Sequence, residues 1–184
     1  MKKILLMAGL VIAVIVALAL TVIYKTKNHS PGSITSYEDD NLKIFVFYNR
    51  PYTKGRVIFG GLVPYGKTWR TGANEPTVFE TNKQLLIGGK KLKPGRYSLW
   101  TVPNERSWQV VFNDRIPAWG INVLNHGNPS RDPETDALII DVPVMITEKQ
   151  FEQFTISIDK AEDMFELVLA WDKTLVAVPF SVNE

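Results

Sequence analysis

The chain of 184 residues has no cysteine and only two histidines, His29 and His126. Without cysteine, it can form neither a disulfide bond nor a lipid anchor on an N-terminal cysteine. Neither histidine has a second histidine at metal-ligand spacing, so a zinc or copper site would need scattered carboxylates. A serine nucleophile would have His126 alone as its base, in a loop typical of a solvated turn. We therefore expect no metal site, no cofactor and no catalytic residue.

Charge is nearly balanced, and the small positive excess lies beside one apolar segment. The sequence has 21 lysine and arginine residues against 19 aspartate and glutamate residues. Lys2, Lys3, Lys25 and Lys27 flank the apolar segment; without these four, 17 basic residues remain against 19 acidic ones, a net charge of −2. The rest of the chain therefore lacks the basic excess typical of nucleic-acid binding, and we expect no nucleic-acid partner.

The apolar segment, residues 4–23, contains no charge and no proline. At about 1.5 Å per residue it is roughly 30 Å long as a helix, which matches the hydrocarbon core of a bilayer. It predicts a transmembrane signal anchor over residues 1–24, and the small residues Ala17 and Ala19 leave a cleaved signal peptide as the alternative. The flanking lysines favour a cytoplasmic N-terminus. We expect a single-pass inner-membrane protein whose domain faces the periplasm or cell exterior.

The remainder divides into a polar tether and one β-rich domain. Residues 25–41 are polar and contain Pro31 and Gly32, as a tether would. Residues 42–182 are rich in short apolar runs separated by glycine and proline turns, and long helical patterns are absent. This pattern predicts an all-β fold, a β-sandwich or barrel-like single domain. The expected strands include 42–48, 96–102, 107–113 and 153–159, and a hairpin about Asp172 and Lys173.

Residues 61–68, GLVPYGKT, match the G-x-x-x-x-G-K-[ST] pattern of a phosphate-binding loop. Such a loop holds phosphate at the N-terminus of the helix that follows it. Here Gly72 and Pro76 follow, and they cost roughly 1 and 3 kcal/mol in a helix interior. Pro64 also removes one backbone donor from the loop. We therefore expect no helix after Thr68 and no nucleotide ligand.

Basic and aromatic residues alternate with turn residues over 48–81, and this segment is the best candidate for a binding face. Arginine offers forked donors, and aromatic faces stack on rings. We expect the basic residues to contact an anion or hydroxyl, Trp69 to act as a stacking platform, and Asn74 with Glu75 to orient the ligand. The basic residues are Arg50, Lys54, Arg56, Lys67 and Arg70. Alternatively, these arginines tie loop carbonyls together and bind no ligand.

Two long stretches carry a resemblance to a known family. They are YNRPYTKGRVIFGGLVPYGKTWRTGANEPTVFETN (48–82) and IGGKKLKPGRYSLWTVPNERSWQVVFN (87–113). They resemble the bacterial family called domain of unknown function 2911, and the resemblance runs from about residue 41 to 182. It implies an exported protein and a shared fold, and transfers no catalytic role. It also implies that an apolar residue is tolerated at Thr68, and that residues 121–136 are a local insertion.

These features together predict a membrane-anchored, extracytoplasmic, non-catalytic binding module. Its ligand would be a small molecule, a glycan or a protein, and its membrane contact would be the N-terminal helix. Two alternatives stay open. An enzyme acting on envelope carbohydrate would use Glu75 as acid or base, with a second carboxylate within roughly 5 to 10 Å. A structural or assembly protein of the cell envelope would expose an apolar patch larger than a few hundred Å².

The predicted topology can be checked directly in cells. Alkaline phosphatase fused after Glu184 should be active, because the positive-inside rule places residues 30–184 outside the cytoplasm. A cytoplasmic reporter fused at the same point serves as the control. An inactive phosphatase beside an active cytoplasmic reporter would reverse the assignment.

Overall fold

The computed structural model describes residues 2–161 and 164–182. It begins with one helix, α1 (Lys2–His29), which ends where Pro31 removes a backbone donor. Within α1, the stretch Gly9–His29 is long and apolar enough to cross a membrane. The helix thus extends five residues beyond the predicted anchor.

After α1 the described residues form strands and one short 3₁₀-helix, Pro133–Thr135, so the all-β prediction is confirmed. Nine strands build one antiparallel sheet in the order β1-β2-β3-β6-β7-β10-β11-β4-β5, and β8 and β9 form a separate two-stranded ribbon. The strands are β1 (Gly32–Glu38), β2 (Lys43–Asn49), β3 (Thr77–Thr81), β4 (Leu85–Ile87), β5 (Lys90–Leu92), β6 (Gly95–Val102), β7 (Ser107–Asn113), β8 (Ile121–Asn122), β9 (Asn128–Pro129), β10 (Asp136–Ala161) and β11 (Met164–Val182).

The long strand β10 joins two sections of the large sheet. Its first part, 136–143, pairs with β7, and its later part pairs with β11, with register shifts between Ile146 and Thr155. Such irregularities bend a strand and increase its twist. The two sections therefore share one core: the Tyr48 ring from β2 meets the Phe154 ring from β10 edge-on at 5.8 Å.

The segment 25–41 contains structure where a tether was predicted. Residues 25–29 complete α1, and β1 pairs with β2 along its whole length, from Gly32 opposite Asn49 to Glu38 opposite Lys43. The segment is too polar to indicate a strand by itself. Residues 32–38 form a strand because they pair with β2, and strand formation commonly depends on such tertiary contacts.

The predicted hairpin about Asp172 and Lys173 is wrong. The strand β11 continues through both residues, and Asp172 lies opposite Phe151 at a register shift, with φ at 54°. Aspartate tolerates this left-handed conformation, so a signal typical of a turn produces a local irregularity inside a strand.

The loop between β2 and β3, residues 50–76, holds the segment predicted to bind a ligand. Two isolated bridges attach it to the sheet, one from Tyr52 to Gln153 and one from Trp69 to Thr101. Within it, residues 61–68 are followed by Trp69 in its bridge and by bends, with no helix, as predicted.

The turn between β1 and β2 gives a prediction about pH. Hydrogen bonds to the Asp39 carboxylate from the Leu42 N–H, the Tyr37 hydroxyl and the Asn41 N–H lower its pKa to about 2. A lowered folded-state pKa stabilises the fold above the unfolded pKa, about 3.9, and this contribution is lost as the pH falls toward 2. We expect an NMR titration midpoint for Asp39 near 2. The melting temperatures of wild type and Asp39→Asn should converge over the same range, and a midpoint near 3.9 would contradict the assignment.

Candidate functional site

The residues after Trp69 form a strained bend beside the end of β6. Trp69 and Thr101 exchange two backbone hydrogen bonds, of 2.7 and 2.9 Å. Thr71 and Asn74 follow with φ of 53° and 60°, and a β-branched residue is rare in this region. Gly72 between them lies so close to Asn49 that an added Cβ would be 2.9 Å from its carbonyl oxygen. Conformations of this kind cost about 1–3 kcal/mol each and cluster at functional sites.

A cavity of about 310 Å³ lies between this bend and the end of α1; we call it the bend cavity. Its wall comes from four parts of the chain that are distant in sequence. They are Thr26, His29 and Ser30 at the end of α1; Pro51, Tyr52, Lys54 and Arg56; Leu62, Val63, Trp69, Arg70, Gly72, Ala73 and Asn74; and Trp171 of β11. The cavity therefore has apolar and aromatic walls with a few polar groups, as ligand sites commonly do.

Three of the residues lining the bend cavity carry a buried donor with no hydrogen-bond partner in the described structure. The atoms are Arg70 Nε, Asn74 Nδ2 and Trp171 Nε1. A buried donor without a partner costs about 1–3 kcal/mol, and native structures contain few of them. One further such donor, Trp108 Nε1, belongs to a core residue that does not line the cavity. These three atoms are closed off from solvent, so the residues line the cavity through their other atoms.

The charged side chains lining the bend cavity are cationic. Lys54, Arg56 and Arg70 contribute them, and no aspartate or glutamate of the described residues is part of the wall. Arg70 has no carboxylate within ion-pair distance among the residues that the structure describes. Burial lowers the pKa of Arg70, although a guanidinium remains protonated in proteins. The cavity thus favours an anion over a cation.

The structure brings together five of the eight predicted site residues. Lys54, Arg56, Trp69, Arg70 and Asn74 all line the bend cavity. Whether they bind a ligand stays a prediction.

Arg50 and Lys67 lie elsewhere. Arg50 donates from Nε to the Phe154 carbonyl at 3.1 Å and from Nη2 to Thr155 Oγ1 at 2.9 Å, so it joins the loop to β10. Lys67 is exposed and lines a neighbouring cavity of about 470 Å³, whose wall also includes Arg70 and Gly127, a residue between β8 and β9. These placements favour the structural interpretation of Arg50 and separate Lys67 from the bend cavity.

Arg56 combines a structural contact with a place in the cavity wall. It donates from Nε to the Thr53 carbonyl at 2.9 Å and from Nη2 to the Tyr52 carbonyl at 2.6 Å. These bonds are the loop ties that the alternative interpretation predicted. Arg56 therefore contributes mainly to the shape of the loop.

Trp69 occupies a core position as well as a place in the cavity wall. Its side chain is 8% exposed, and its ring stacks on Trp171 at 5.8 Å with an interplanar angle of 16°. Phe59, Trp108 and Phe154 meet it edge-on. Large aromatics are usually buried this way, and the role of Trp69 as a stacking platform stays a prediction.

Glu75 binds protein groups. Its carboxylate accepts hydrogen bonds from Asn49 Nδ2 at 3.1 Å and from Lys27 Nζ at 2.9 Å. Burial raises its pKa, but hydrogen bonds from Lys27, its own N–H and Asn49 outweigh this and lower the pKa overall. A general acid needs a raised pKa, so this environment disfavours the predicted acid role. Instead, Glu75 connects the end of α1 to the bend.

Gly120 supports the cavity, and the sequence patterns did not single it out. An added Cβ at Gly120 would lie 2.0 Å from Arg70 Cδ and 2.8 Å from the Asn74 carbonyl oxygen. The Gly120 N–H also donates to that oxygen at 2.9 Å. The absence of a side chain at Gly120 is therefore needed for the observed positions of Arg70 and Asn74. Trp171 was missed as well, because it reads as an ordinary strand residue.

A larger cavity, of about 520 Å³, lies beside residues 115–133. No donor in its wall is buried without a partner among the described residues, and Arg115 there already pairs with Asp132 at 3.3 Å. Its polar groups therefore need no ligand, and the bend cavity is the better candidate site despite its smaller volume.

The different hydrogen bonding of Arg56 and Arg70 predicts different thermal stabilities for the Arg56→Ala and Arg70→Ala variants. The Arg56→Ala variant loses both side-chain hydrogen bonds, while the Thr53 carbonyl keeps the bond from the Arg56 N–H at 3.1 Å. Its melting temperature should fall by several degrees, since each hydrogen bond lost is worth about 0.5–1.5 kcal/mol. Arg70→Ala removes a guanidinium whose Nε is unpaired, so its melting temperature should stay within about 2 °C of wild type. Lys67→Ala, at an exposed position, is the control. A drop of several degrees for Arg70→Ala would assign Arg70 a structural role.

Comparison with known proteins supports the resemblance seen in the sequence. Residues 30–180 match the model of a family described as a protein of unknown function, DUF2911. No curated protein and no solved structure matched the chain. The match begins at the end of α1 and includes β1, in agreement with the observed start of the sheet. Because the match covers most of the chain, the protein belongs to the DUF2911 family.

Proposed function

We propose that the protein is a membrane-anchored, extracytoplasmic binding module whose ligand is an anion with an attached apolar group. The bend cavity would hold the anion, and α1 would be the anchor in the inner membrane. The observation that carries this proposal is the cationic lining of the cavity: Lys54, Arg56 and Arg70 are part of its wall, and no aspartate or glutamate of the described residues is.

The chemistry of this lining selects the ligand class. Guanidinium and ammonium groups suit the oxygens of a carboxylate or phosphate. A hydrogen bond to a charged group is worth about 1.5–3 kcal/mol. The wall residues Leu62, Val63 and Trp171 would contact the apolar group.

Binding without catalysis is the better fit for these residues. Glu75, the carboxylate expected to act as acid or base in an enzyme, is held by Lys27 and Asn49 with a lowered pKa that disfavours the acid role, and it is not part of the wall of the bend cavity. No group of three potential metal-ligating side chains occurs in the described part of the chain. The cavity supplies donors and apolar surface, which are sufficient for recognition.

Titration with model anions tests this proposal. The full-length protein in neutral detergent would be titrated with phenyl phosphate and benzoate, and with uncharged phenol, while heat and tryptophan fluorescence are recorded. We expect both anions to bind and phenol to bind at least tenfold more weakly. Arg70→Ala should lose tenfold or more in affinity, because it removes a charged donor worth about 1.5–3 kcal/mol. Asn74→Asp, nearly isosteric, should lose binding through charge repulsion.

Lys67→Ala is the matched control, since it removes a cation from the same loop outside the bend cavity. Its affinity for both anions should equal that of wild type. The proposal fails if neither anion binds, or if Arg70→Ala, with an unchanged melting temperature, binds them as well as wild type.

A further inference from the structure

The bend cavity lies at the end of the helix that can cross the membrane. Thr26, His29 and Ser30 form part of its wall, and the apolar span of α1 runs from Gly9 to His29. A helix that spans the bilayer places its ends at the membrane surface. With α1 in the membrane, the cavity is therefore beside the lipid headgroups.

Several contacts hold the end of α1 against the domain, so this placement is part of the fold. Lys27 Nζ lies 2.9 Å from the Glu75 carboxylate. Asn74, the residue directly before Glu75, lines the cavity. Ser30 is 9% exposed, and the Arg50 N–H donates to the Pro31 carbonyl at 2.9 Å. These contacts therefore fix the position of the cavity relative to the end of α1.

The side chains of α1 just before the cavity are apolar and uncovered. Val22 is 63% exposed and Tyr24 is 68% exposed. In a bilayer these side chains contact lipid. A volume of about 310 Å³ is at the low end for small-molecule sites and suits a headgroup without its acyl chains.

We propose that the anion bound in the bend cavity is the phosphate- or carboxylate-bearing headgroup of a membrane amphiphile, whose hydrocarbon part stays in the bilayer beside α1. This inference rests on the proposed function and names the source of its ligand. Recognition needs the cationic lining of Lys54, Arg56 and Arg70 for the headgroup and the helix end for position. Because the protein and the amphiphile share one membrane, the cavity meets the headgroup at a high effective concentration.

The test compares one phosphate group with and without a hydrocarbon chain. The full-length protein in neutral detergent would be titrated with phosphatidic acid, with soluble glycerol phosphate and with phosphatidylcholine, which has no net charge. Fluorescence is a suitable readout because Trp69 and Trp171 line the cavity and α1 contains no tryptophan. We expect phosphatidic acid to bind at least tenfold more tightly than either other probe.

Variants separate cavity binding from general attraction to basic residues. Arg70→Ala and, independently, Asn74→Asp should each weaken phosphatidic acid binding by tenfold or more. Lys25→Ala should bind as wild type, because Lys25 is a basic residue of α1 outside the cavity wall. Asn74→Asp keeps the test usable if Arg70→Ala fails to fold.

Each other result overturns a stated part of the inference. Equal, Arg70-dependent binding of glycerol phosphate and phosphatidic acid would refute the membrane source and leave the anion site intact. Binding of phosphatidic acid that persists in Arg70→Ala and Asn74→Asp but falls in Lys25→Ala would indicate surface attraction only. Absence of binding by these probes, phenyl phosphate and benzoate would refute both the lipid source and the proposed function.

Discussion

The paired backbone hydrogen bonds between Trp69 and Thr101 position the rest of the candidate site. They attach the long β2–β3 loop to the end of β6, an interior strand of the large sheet. With Trp69 fixed among the core aromatics, Arg70 follows at the cavity wall and Thr71 enters the strained bend. Further bonds secure that bend, since Thr71 Oγ1 donates to Thr101 Oγ1 at 3.2 Å and the Thr77 N–H donates to the Arg70 carbonyl at 3.2 Å. A site on a loop gains precision when rigid elements hold it in this way.

Arg50, Arg56 and Arg70 have the same chemistry, and folding gives each a different partner. Arg50 meets a carbonyl of β10, and Arg56 meets two carbonyls of its own loop. Arg70 reaches the cavity with its Nε unpaired and its Cδ against Gly120. A satisfied guanidinium stabilises the protein, whereas an unpaired one lowers stability until an acceptor binds. The difference between structural and functional arginine is therefore a property of the folded loop.

The sequence suggested that Glu75 contacts a ligand or substrate, whereas in the structure it pairs with Lys27 of α1. Its ion pair with Lys27 has side-chain exposures of 26% and 52%, and exposed pairs contribute little stability by themselves. Here the pair acts with the buried Ser30 and the Arg50–Pro31 hydrogen bond to hold α1 beside the bend. The helix thus forms part of the cavity wall. The sequence predicted a tether between the apolar helix and the domain, whereas the end of this helix forms part of the candidate site.

The sequence by itself determined the apolar helix, the all-β domain and the loop that contains the site. The apolar run of the helix, the alternating residues 153–159 and the helix-breaking Gly72 and Pro76 all act through neighbouring residues, so a linear pattern records them. It also supplied Arg70 and Asn74 as candidates. Only the tertiary structure decided which side chains meet in the bend cavity, that Trp69 is buried, that β1 is a strand and that Gly120 supports Arg70. These outcomes depend on contacts between the end of α1, the bend and β11, where Trp171 lies, and local periodicity carries no information about packing between segments so distant in the chain.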